Sequence, residues 1–540
     1  MAVDKRALIA VVLSIAFLMV YQQFFVPPPA PVKKETPRTA ADKAAHPSDT
    51  GSAADTGRTD DKSTSKDSAK DATSSKDSGV ETLVERQISE EPSTVEKLVK
   101  VDTSLYTAVF SSRGGVIKSF HIKEYKDKQS KPVELVPSDA EVPALAMGQS
   151  RDFSFAKHNF GISSGDITVA PGNSGKLVFE YAAGAVMVRR TYTFSGSGYR
   201  IDLRDETAGL GEYYITPGAG FGKSGETGYG AHIGPVLLND MDREEFEADK
   251  PPSDMKTFSK KIRWVANEDK YFFAAIVPVS DKPDKPEAMV WGANGKTMVA
   301  IKCAPGVNDF IIFAGPKKEE LLIPLELSLE HIVDFGYFSI IARPIFWLLK
   351  FINGFVGNWG FSIIVLTMVV RIPFIPLINK GQRSMKKLQK IQPMMTEIRE
   401  KYKKDAQRMQ TELMELYKKH KVNPMGGCLP IVIQIPVFFA LYKVLLVAIE
   451  LRGAPFMFWI HDLSEKDPYY ILPVIMGGTM FLQQKMTPSG MDPMQAKIML
   501  MMPIVFTFMF LSFPSGLVVY WLISNIFGIT QQYYVNKRKD

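Results

Sequence analysis

Long apolar runs and short alternating runs occupy different parts of this 540-residue chain. Residues 98–316 alternate apolar and polar positions, which is the pattern of half-buried strands. The sequence therefore predicts a multi-span α-helical membrane protein with six transmembrane helices, five of them forming a core, and an inserted all-β sandwich domain. Apolar runs of spanning length lie within 1–26, 358–378, 425–449, 469–485, 494–513 and 514–533.

The first 26 residues combine a basic start, at Lys5 and Arg6, with an apolar run that lacks a small-x-small cleavage site. We predict a retained transmembrane anchor with a cytoplasmic amino terminus, and a cleaved signal sequence is the alternative. Residues 27–97 contain Pro, Ser, Thr, Asp, Lys and Ala with few large apolar side chains. Such a composition predicts a disordered tether on the outer side of the membrane, because it cannot bury enough apolar surface to fold.

The β-region contains few motifs that could be catalytic or bind a ligand. The segment 161–165 matches a nucleophile-elbow pattern but lacks the strand-to-helix context, so we interpret it as a loop. The Gly-Lys-Ser at 222–224 and the Gly-Lys-Thr at 295–297 lack the earlier glycine of a phosphate loop. Neither the seven histidines nor the two cysteines show metal-ligand spacing. No catalytic residue, metal or cofactor is predicted.

Residues 317–357 change from strand to helix patterns. Within them, 334–356 gathers apolar residues on one helical face, which predicts an amphipathic helix lying in the membrane interface. A soluble connector packed on the β-domain is the alternative. The predicted apolar face carries Phe338, Ile341, Ile345, Leu348, Ile352 and Phe355.

One charge, Arg371, lies inside the apolar run 358–378. At 1.5 Å per residue it is about 20 Å from the start of that run, inside a hydrocarbon core of roughly 30 Å. An arginine there costs about 2.5–3.5 kcal/mol on insertion scales, so we predict that it serves a hydrated pocket, with snorkelling as the alternative. Thr367 and Gln434 could share that pocket. Lys443 lies near the outer end of its helix and is predicted to snorkel.

The segment 379–424 is polar and strongly basic. Residues 380–421 contain thirteen Lys or Arg and five acidic residues, which by the positive-inside rule places the segment in the cytoplasm. Its apolar spacing predicts a helical hairpin with Asp405 near the joint. A solvated hairpin near anionic lipid and a docking surface for a ribosome, nascent chain or targeting receptor both remain open. The predicted partner-binding residues are Lys386, Lys387, Arg399, Lys403 and Lys404.

Charge also orients the remaining spans. The alternation of spans makes 450–468 a periplasmic loop, 486–493 a cytoplasmic loop and 534–540 a basic cytoplasmic tail, so that both termini are cytoplasmic. Methionines are plentiful after residue 475, either as ordinary packing or as a soft surface that accepts many apolar sequences.

The last 200 residues contain six specific motifs: NWGFSII, VNPMGGCLPIVIQIPVF, ELRGAPFMFWIHDLS, DPYYILP, DPMQAKIM and FPSGLVVYWLISN. With these motifs the segment resembles the YidC family of membrane protein insertases. The resemblance implies a cell inner membrane protein with a periplasmic β-supersandwich and a five-helix core around a hydrophilic groove. It also implies a hydrophobic slide formed by 425–449 and 494–513. The implied groove residues are Arg371, Thr367, Gln434, Phe438 and Trp521.

These features together predict an insertase and chaperone that acts on newly made membrane proteins without nucleotide hydrolysis or covalent catalysis. The expected partners are nascent membrane proteins, membrane lipids, a Sec translocon and, through the hairpin, a ribosome or targeting receptor. No specific nucleic-acid binding is expected. An anion-binding solute transporter and a glycan-binding role for the β-domain are the alternative functions. The tail at 537–540 is too short for an extended ribosome-binding segment.

Overall fold

The computed structural model describes residues 95–137, 140–225, 231–279, 286–422, 429–487 and 493–537. The predicted anchor at 1–26, the tether as far as residue 94, and Cys428 lie outside these ranges. Cys303 is buried and unpaired.

The alternating region folds into three β-sheets, which confirms the prediction of a β-sheet domain. The strands are β1 (Leu98–Asp102), β2 (Tyr106–Ser111), β3 (Val116–Lys126), β4 (Pro132–Glu134), β5 (Met147–Gly148), β6 (Gly161–Ile162), β7 (Ile167–Thr168), β8 (Ser174–Ala183), β9 (Val186–Ser195), β10 (Arg200–Ala208), β11 (Tyr213–Ile215), β12 (Gly234–Asn239), β13 (Asp242–Glu245), β14 (Lys256–Phe258), β15 (Ile262–Glu268), β16 (Phe272–Val279), β17 (Glu287–Ala293), β18 (Lys296–Cys303) and β19 (Val307–Pro316). One sheet has the strand order β4-β3-β2-β1-β7, the second β13-β12-β15-β16-β19-β10-β9-β8-β6, and the third β14-β17-β18-β11-β5.

Alternation in β9 and β10 places every second side chain in the core. On β9 the buried positions are Val188, Arg190, Tyr192 and Phe194. Arg190 is the polar exception, and its Nε lies 3.0 Å from Oδ1 of Asp205, with both side chains fully buried. Its Nη1 also donates to the Leu145 carbonyl at 2.7 Å, so the buried charge is paired and hydrogen-bonded.

Helices follow the β-domain. They are α1 (Glu319–Leu322), α2 (Ser339–Val356), α3 (Trp359–Arg371), α4 (Ile375–Lys390), α5 (Gln392–Lys401), α6 (Ala406–Lys419), α7 (Leu429–Val447), α8 (Ile471–Met486), α9 (Pro493–Phe510) and α10 (Ser515–Lys537). Short 3₁₀ turns lie at Ser154–Lys157, Ile323–Leu325, Leu329–Ile332, Gly336–Phe338, Ile372–Phe374 and Ile449–Leu451.

Helix α10 is central to the bundle, since it contacts α3, α4, α7 and α8. Small residues permit the close approach: a Cβ on Gly528 would lie 2.5 Å from Nε2 of Gln483 on α8. Asn525 donates from Nδ2 to Oγ1 of Thr479 on α8 at 3.2 Å. These contacts fix α10 against α8 and leave its other side to α3 and α7.

The helix that carries Arg371 differs from the predicted segment 358–378. It changes to a 3₁₀ turn at Ile372–Phe374 and then continues as α4 to Lys390, so that no helix ends at Ile378. Prolines 373 and 376 explain the change, because each lacks the N–H that an uninterrupted α-helix requires. The combined segment Trp359–Lys390 has 32 residues and a mean hydropathy of 2.3 in its most apolar part.

Helix α2 buries part of the predicted apolar face against the protein. Ile345 and Ile352 of that face are buried, but Phe355 is 79% exposed, and Ala342, Phe346 and Leu349 complete the packed face. A second apolar stripe is exposed, at Ile340, Trp347, Phe351 and Phe355. Helix α2 is therefore apolar on two sides. By length and composition, Gly336–Val356 and Trp359–Lys390 are the segments of the described chain long enough to cross a membrane, and Gln434–Val447 and Met499–Phe510 are shorter apolar helices.

The basic segment forms a helical hairpin in which α5 packs against α6. Its small core contains Leu388, Ile391, Met395, Leu416 and Val422. The carboxylate of Asp405 caps α6 by accepting from the backbone N–H of Arg408 at 3.0 Å. The first arm is interrupted at Ile391, two residues before Pro393, and is therefore two helices where the sequence spacing indicated one.

Candidate functional site around Arg371

Arg371 lines a pocket between helices α3, α4, α7 and α10. The pocket has a volume of about 400 Å³ including its open mouth. Its lining is mostly apolar, with one cation, one amide and one phenol as the polar groups. The lining residues are Val370, Arg371, Phe374, Leu377, Ile378, Gln434, Val437 and Tyr520.

The Arg371 side chain is held by neutral groups. Its Nη2 donates to Oε1 of Gln434 at 3.3 Å, and its Cζ lies 5.8 Å from the centre of the Phe527 ring. The bond to Gln434 is long, and no ion pair to Arg371 occurs within the described ranges. A guanidinium without an acidic partner in an apolar setting can attract a negative group that enters the pocket.

The structure divides the five predicted groove residues into three groups. Arg371 and Gln434 meet in the pocket. Phe438 and Trp521 pack on each other with perpendicular rings 4.8 Å apart, one turn along α7 from Gln434. Thr367 joins neither group, and its place in the groove stays a prediction. It is 1% exposed, and its hydroxyl donates to the Ile363 carbonyl at 2.6 Å, as threonines in apolar helices commonly do.

Phe438 and Trp521 belong to an aromatic cluster that joins α7, α9 and α10. Trp521 lies 5.2 Å from Phe510 and 5.9 Å from Phe506, measured between ring centres. The Arg371 pocket and the aromatic cluster are therefore adjacent, because Tyr520 and Trp521 are neighbours in the chain.

Six of the lining residues are not among the predicted ones: Val370, Phe374, Leu377, Ile378, Val437 and Tyr520. Helical spacing contains the signal for three of them, since Phe374 and Ile378 follow Arg371 by three and seven residues and Val437 follows Gln434 by three. Tyr520 lies inside the FPSGLVVYWLISN motif, next to the predicted Trp521.

Polar groups continue from the pocket towards the hairpin. Gln531 on α10 donates from Nε2 to Oδ1 of Asn379 at 2.8 Å and to the Ile375 carbonyl at 3.2 Å. Its Oε1, and that of Gln382 on α4, are buried and accept no hydrogen bond from any described residue. Arg371 is thus one end of a polar line along α4 and α10.

The five predicted partner-binding residues of the hairpin lie on two helices and the turn that follows them. Lys386 and Lys387 lie on α4, and Arg399 lies on α5. Lys403 and Lys404 are exposed in the turn between α5 and α6.

Lys443, predicted to snorkel, has a partner. Its Nζ lies 3.6 Å from Oδ2 of Asp334, which precedes α2. This pair ties the outer part of α7 to the segment between the β-domain and α2. Among the residues that the structure describes, no group of three His, Cys, Asp or Glu side chains could hold a metal ion.

Two family descriptions match this chain. The one for "60Kd inner membrane protein" matches residues 351–540, and the one for "YidC periplasmic domain" matches residues 98–348. The two matches meet within α2 and include both the β-domain and the Arg371 pocket.

Full-length relatives agree with these matches. The membrane protein insertase YidC of Syntrophus aciditrophicus is 41% identical over 572 aligned positions, which cover 99% of this chain and 100% of that protein. The protein of the same name from Geotalea daltonii is 39% identical, with 99% of each chain covered. A solved structure described as an active YidC insertase with its first transmembrane domain resolved has 18% identity and a TM-score of 0.36, and covers 82% of this chain and 95% of its own. The identity and coverage of the full-length relatives establish that this chain belongs to the YidC family of membrane protein insertases and carries that family's periplasmic domain.

Proposed function

We propose that this insertase lowers the barrier to membrane insertion by receiving the polar flank of a client segment in the Arg371 pocket. The family assignment makes the protein an inner membrane insertase, not an enzyme or a solute transporter. The observation that carries the proposal is a cation that, among the described residues, is held by an amide and an aromatic ring, in a pocket bounded by apolar helices.

The unfavourable free energy of insertion comes from the polar flank of the client segment. A segment of about 20 apolar residues at −0.3 to −0.6 kcal/mol each gains roughly 6–12 kcal/mol on entering lipid, so no nucleotide is required. The flank instead carries charges and free backbone groups that cost several kcal/mol in hydrocarbon. A polar pocket shortens the dry path that these groups must cross.

The polar line from Arg371 to Gln531 and Gln382 gives the pocket a direction. Buried amide oxygens without a protein partner favour hydration of this side of the bundle. In the proposed topology the core has five spans, the anchor adds a sixth, and both termini and the hairpin are cytoplasmic. Arg371 then lies in the inner half of the bilayer and is reached from the cytoplasm. The excess of basic residues in 380–421 supports this orientation.

The aromatic cluster and the exposed apolar residues of α9 supply the proposed slide. Met501, Ile504, Val505 and Phe508 are each at least 48% exposed and lie on neighbouring turns of α9. An apolar client helix could exchange lipid for this surface while its flank stays in the pocket. Thr367 remains a proposed groove residue, with its hydroxyl bonded within α3 in this structure.

Nascent membrane proteins are the proposed clients, and lipids, a Sec translocon, a ribosome and a targeting receptor are proposed further partners. The hairpin supports a cytoplasmic docking role, because a packed core holds its basic residues on a defined surface. The exposed stripe of α2 supports the interfacial position proposed for that helix, since both of its apolar sides then avoid water.

The test is insertion of a short-tailed, single-span client into vesicles that contain Arg371→Ala, Arg371→Lys or the unchanged protein. We expect Arg371→Ala to impair insertion and Arg371→Lys to retain part of it, because the charge remains without the planar donor geometry. Arg343→Ala, which removes an exposed arginine from α2, is the matched control. Full activity of Arg371→Ala with all such clients would overturn the proposed role.

A further inference from the structure

A second pocket lies in the β-domain, where the segments after β11 and β13 meet the start of β18. Including its open mouth, it has a volume of about 480 Å³. Lys223, Lys296 and Asp249 are its charged lining residues. The remaining lining is small or hydroxylated: Pro137, Ala140, Ala219, Ala248 and Thr297.

The two lysines belong to the Gly-Lys-Ser and Gly-Lys-Thr tripeptides that sequence analysis set aside. In each, the residue after the lysine anchors the backbone. Ser224 places both its backbone N and its Oγ 2.6 Å from Oδ2 of the buried Asp269. Thr297 donates from Oγ1 to the Glu247 carbonyl at 2.6 Å. These hydrogen bonds therefore fix the backbone next to both lysines.

A tight turn adds to the constraint on Lys296. Asn294 and Gly295 have φ values of 50° and 74°, which fit a two-residue hairpin turn with left-handed backbone at both positions. Lys296 is the first residue after that turn. Thr297 also donates its backbone N–H to the Ala248 carbonyl at 2.8 Å, which holds the Asp249 segment beside the strand.

The charges in the pocket are incompletely balanced. Within the described ranges, neither lysine ammonium lies within 4 Å of a carboxylate or donates a hydrogen bond. Burial lowers the pKa of Lys223, the charges of Asp249 and of the buried Asp269 oppose this shift, and the neighbouring charge of Lys296 lowers the pKa further. The two lysines thus line one cavity together with Asp249.

We propose that this pocket binds a phosphate group between Lys223 and Lys296. Two ammonium groups attract a phosphate anion, whether it is the dianion of inorganic phosphate or the monoanionic diester of a lipid headgroup, and lysine binds phosphate as a compact point charge. The small side chains of the lining leave room for the tetrahedral group. The phosphate belongs either to a small soluble molecule or to a lipid headgroup, and the experiment separates these sources.

The test measures the reactivity of individual lysines in the full chain, held in maltoside detergent micelles, which contain no phosphate. Brief acetylation followed by mass spectrometry gives a labelling rate for each lysine, with inorganic phosphate titrated against chloride at constant ionic strength. We expect phosphate to slow labelling of Lys223 and Lys296 by about threefold or more, because a bound dianion raises the pKa of each amine. The exposed Lys250 should keep its rate.

Three variants make the result specific. Lys296→Gln should abolish the protection of Lys223, whereas Lys250→Gln, which removes a neighbouring charge outside the pocket, should preserve it. Asp249→Asn should strengthen the protection, because it removes a negative charge from the lining. Thermal unfolding of each variant verifies that the domain is folded.

The outcome in anionic lipid identifies the source. Protection of both lysines in phosphatidylglycerol nanodiscs without added phosphate supports a lipid headgroup, and protection only on adding phosphate supports a soluble ligand. Equal slowing at all lysines, or unchanged rates at Lys223 and Lys296 in every condition, would overturn the proposal.

Discussion

The guanidinium of Arg371 and the amide of Gln434 connect α3 to α7 across the pocket, with 3.3 Å between Nη2 and Oε1. Because the acceptor is neutral, the charge of Arg371 remains available to a client. Gln434→Glu would place a carboxylate at the same position and occupy that charge permanently. We expect insertion of clients with acidic flanks to fall by about tenfold, since opposite charges at such distances attract by several kcal/mol.

The measurement is protease protection of two clients that differ only in having an acidic or a neutral flank. Gln484→Glu on α8, outside the pocket lining, controls for adding a carboxylate to the bundle. Equal loss for both clients would contradict a charge-specific role for the Arg371–Gln434 contact.

Much of this fold could be predicted because its signals are local. The alternation of β9 and the spacing of Leu388 and Met395 each reflect one packed face, and both faces are buried in the structure. Arg371 was identifiable because a charge in an apolar run is costly.

The features that could not be predicted are non-local or depend on hydrogen bonding. The bond that Thr367 makes to its own helix is invisible in a residue pattern. The partner of Lys443 is more than 100 positions away, at Asp334, and the meeting of Lys223 with Lys296 depends on the strand order of the sheets.

The buried pair of Arg190 and Asp205 should dominate the charge contribution to β-domain stability. Arg190→Met leaves Asp205 buried without its partner, and we expect a loss of about 3–5 kcal/mol. Arg204→Met is the control, because its pair with Asp309 at 2.7 Å is exposed and should contribute about 0–1 kcal/mol. Hydrogen exchange of the β9 and β10 amides in the full chain measures both. Similar losses in the two variants would contradict the assignment.

Glu268 should make the stability of the β-domain depend on pH in the acid range. Burial would raise the pKa of this carboxylate, but Lys317, Arg243 and His232 outweigh burial and lower its pKa from 4.5 to about 2. A carboxylate with a lower pKa in the folded state stabilises the fold above its unfolded pKa. This stabilisation, on the order of 3 kcal/mol, is lost as the pH falls from about 4.5 towards 2.

Hydrogen exchange of β15 and β16 between pH 5 and 3 tests this pH dependence, after correction for the intrinsic exchange rate. Glu268→Gln should be less stable at pH 5 and should flatten the slope, because it lacks the titrating group. The exposed Glu247→Gln should keep the original slope. A slope that Glu268→Gln leaves unchanged would assign the pH dependence to other groups.

The pair of Lys443 and Asp334 predicts coupling between α7 and the segment before α2. Lys443→Met and Asp334→Asn should each lower the thermal unfolding temperature, and the double variant should lose less than the sum. The coupling should be at most about 1 kcal/mol, because both side chains are partly exposed. Exchanging the two charged residues should recover part of the loss. Additive single effects would instead favour snorkelling of Lys443 without a specific partner.

Docking of ribosome and nascent-chain complexes should depend on where the basic residues lie on the hairpin as well as on how many there are. Lys403 and Lys404 are exposed at the turn between α5 and α6, whereas Lys418 and Lys419 are exposed at the far end of α6. We expect Lys403→Gln with Lys404→Gln to weaken binding in co-sedimentation by about thirtyfold, at roughly 1 kcal/mol for each lysine removed from an anionic surface. Lys418→Gln with Lys419→Gln removes the same charge and should have a smaller effect. Equal weakening by the two double variants, with the same salt dependence, would show that the interaction depends on net charge alone. That result would contradict a docking surface at the turn.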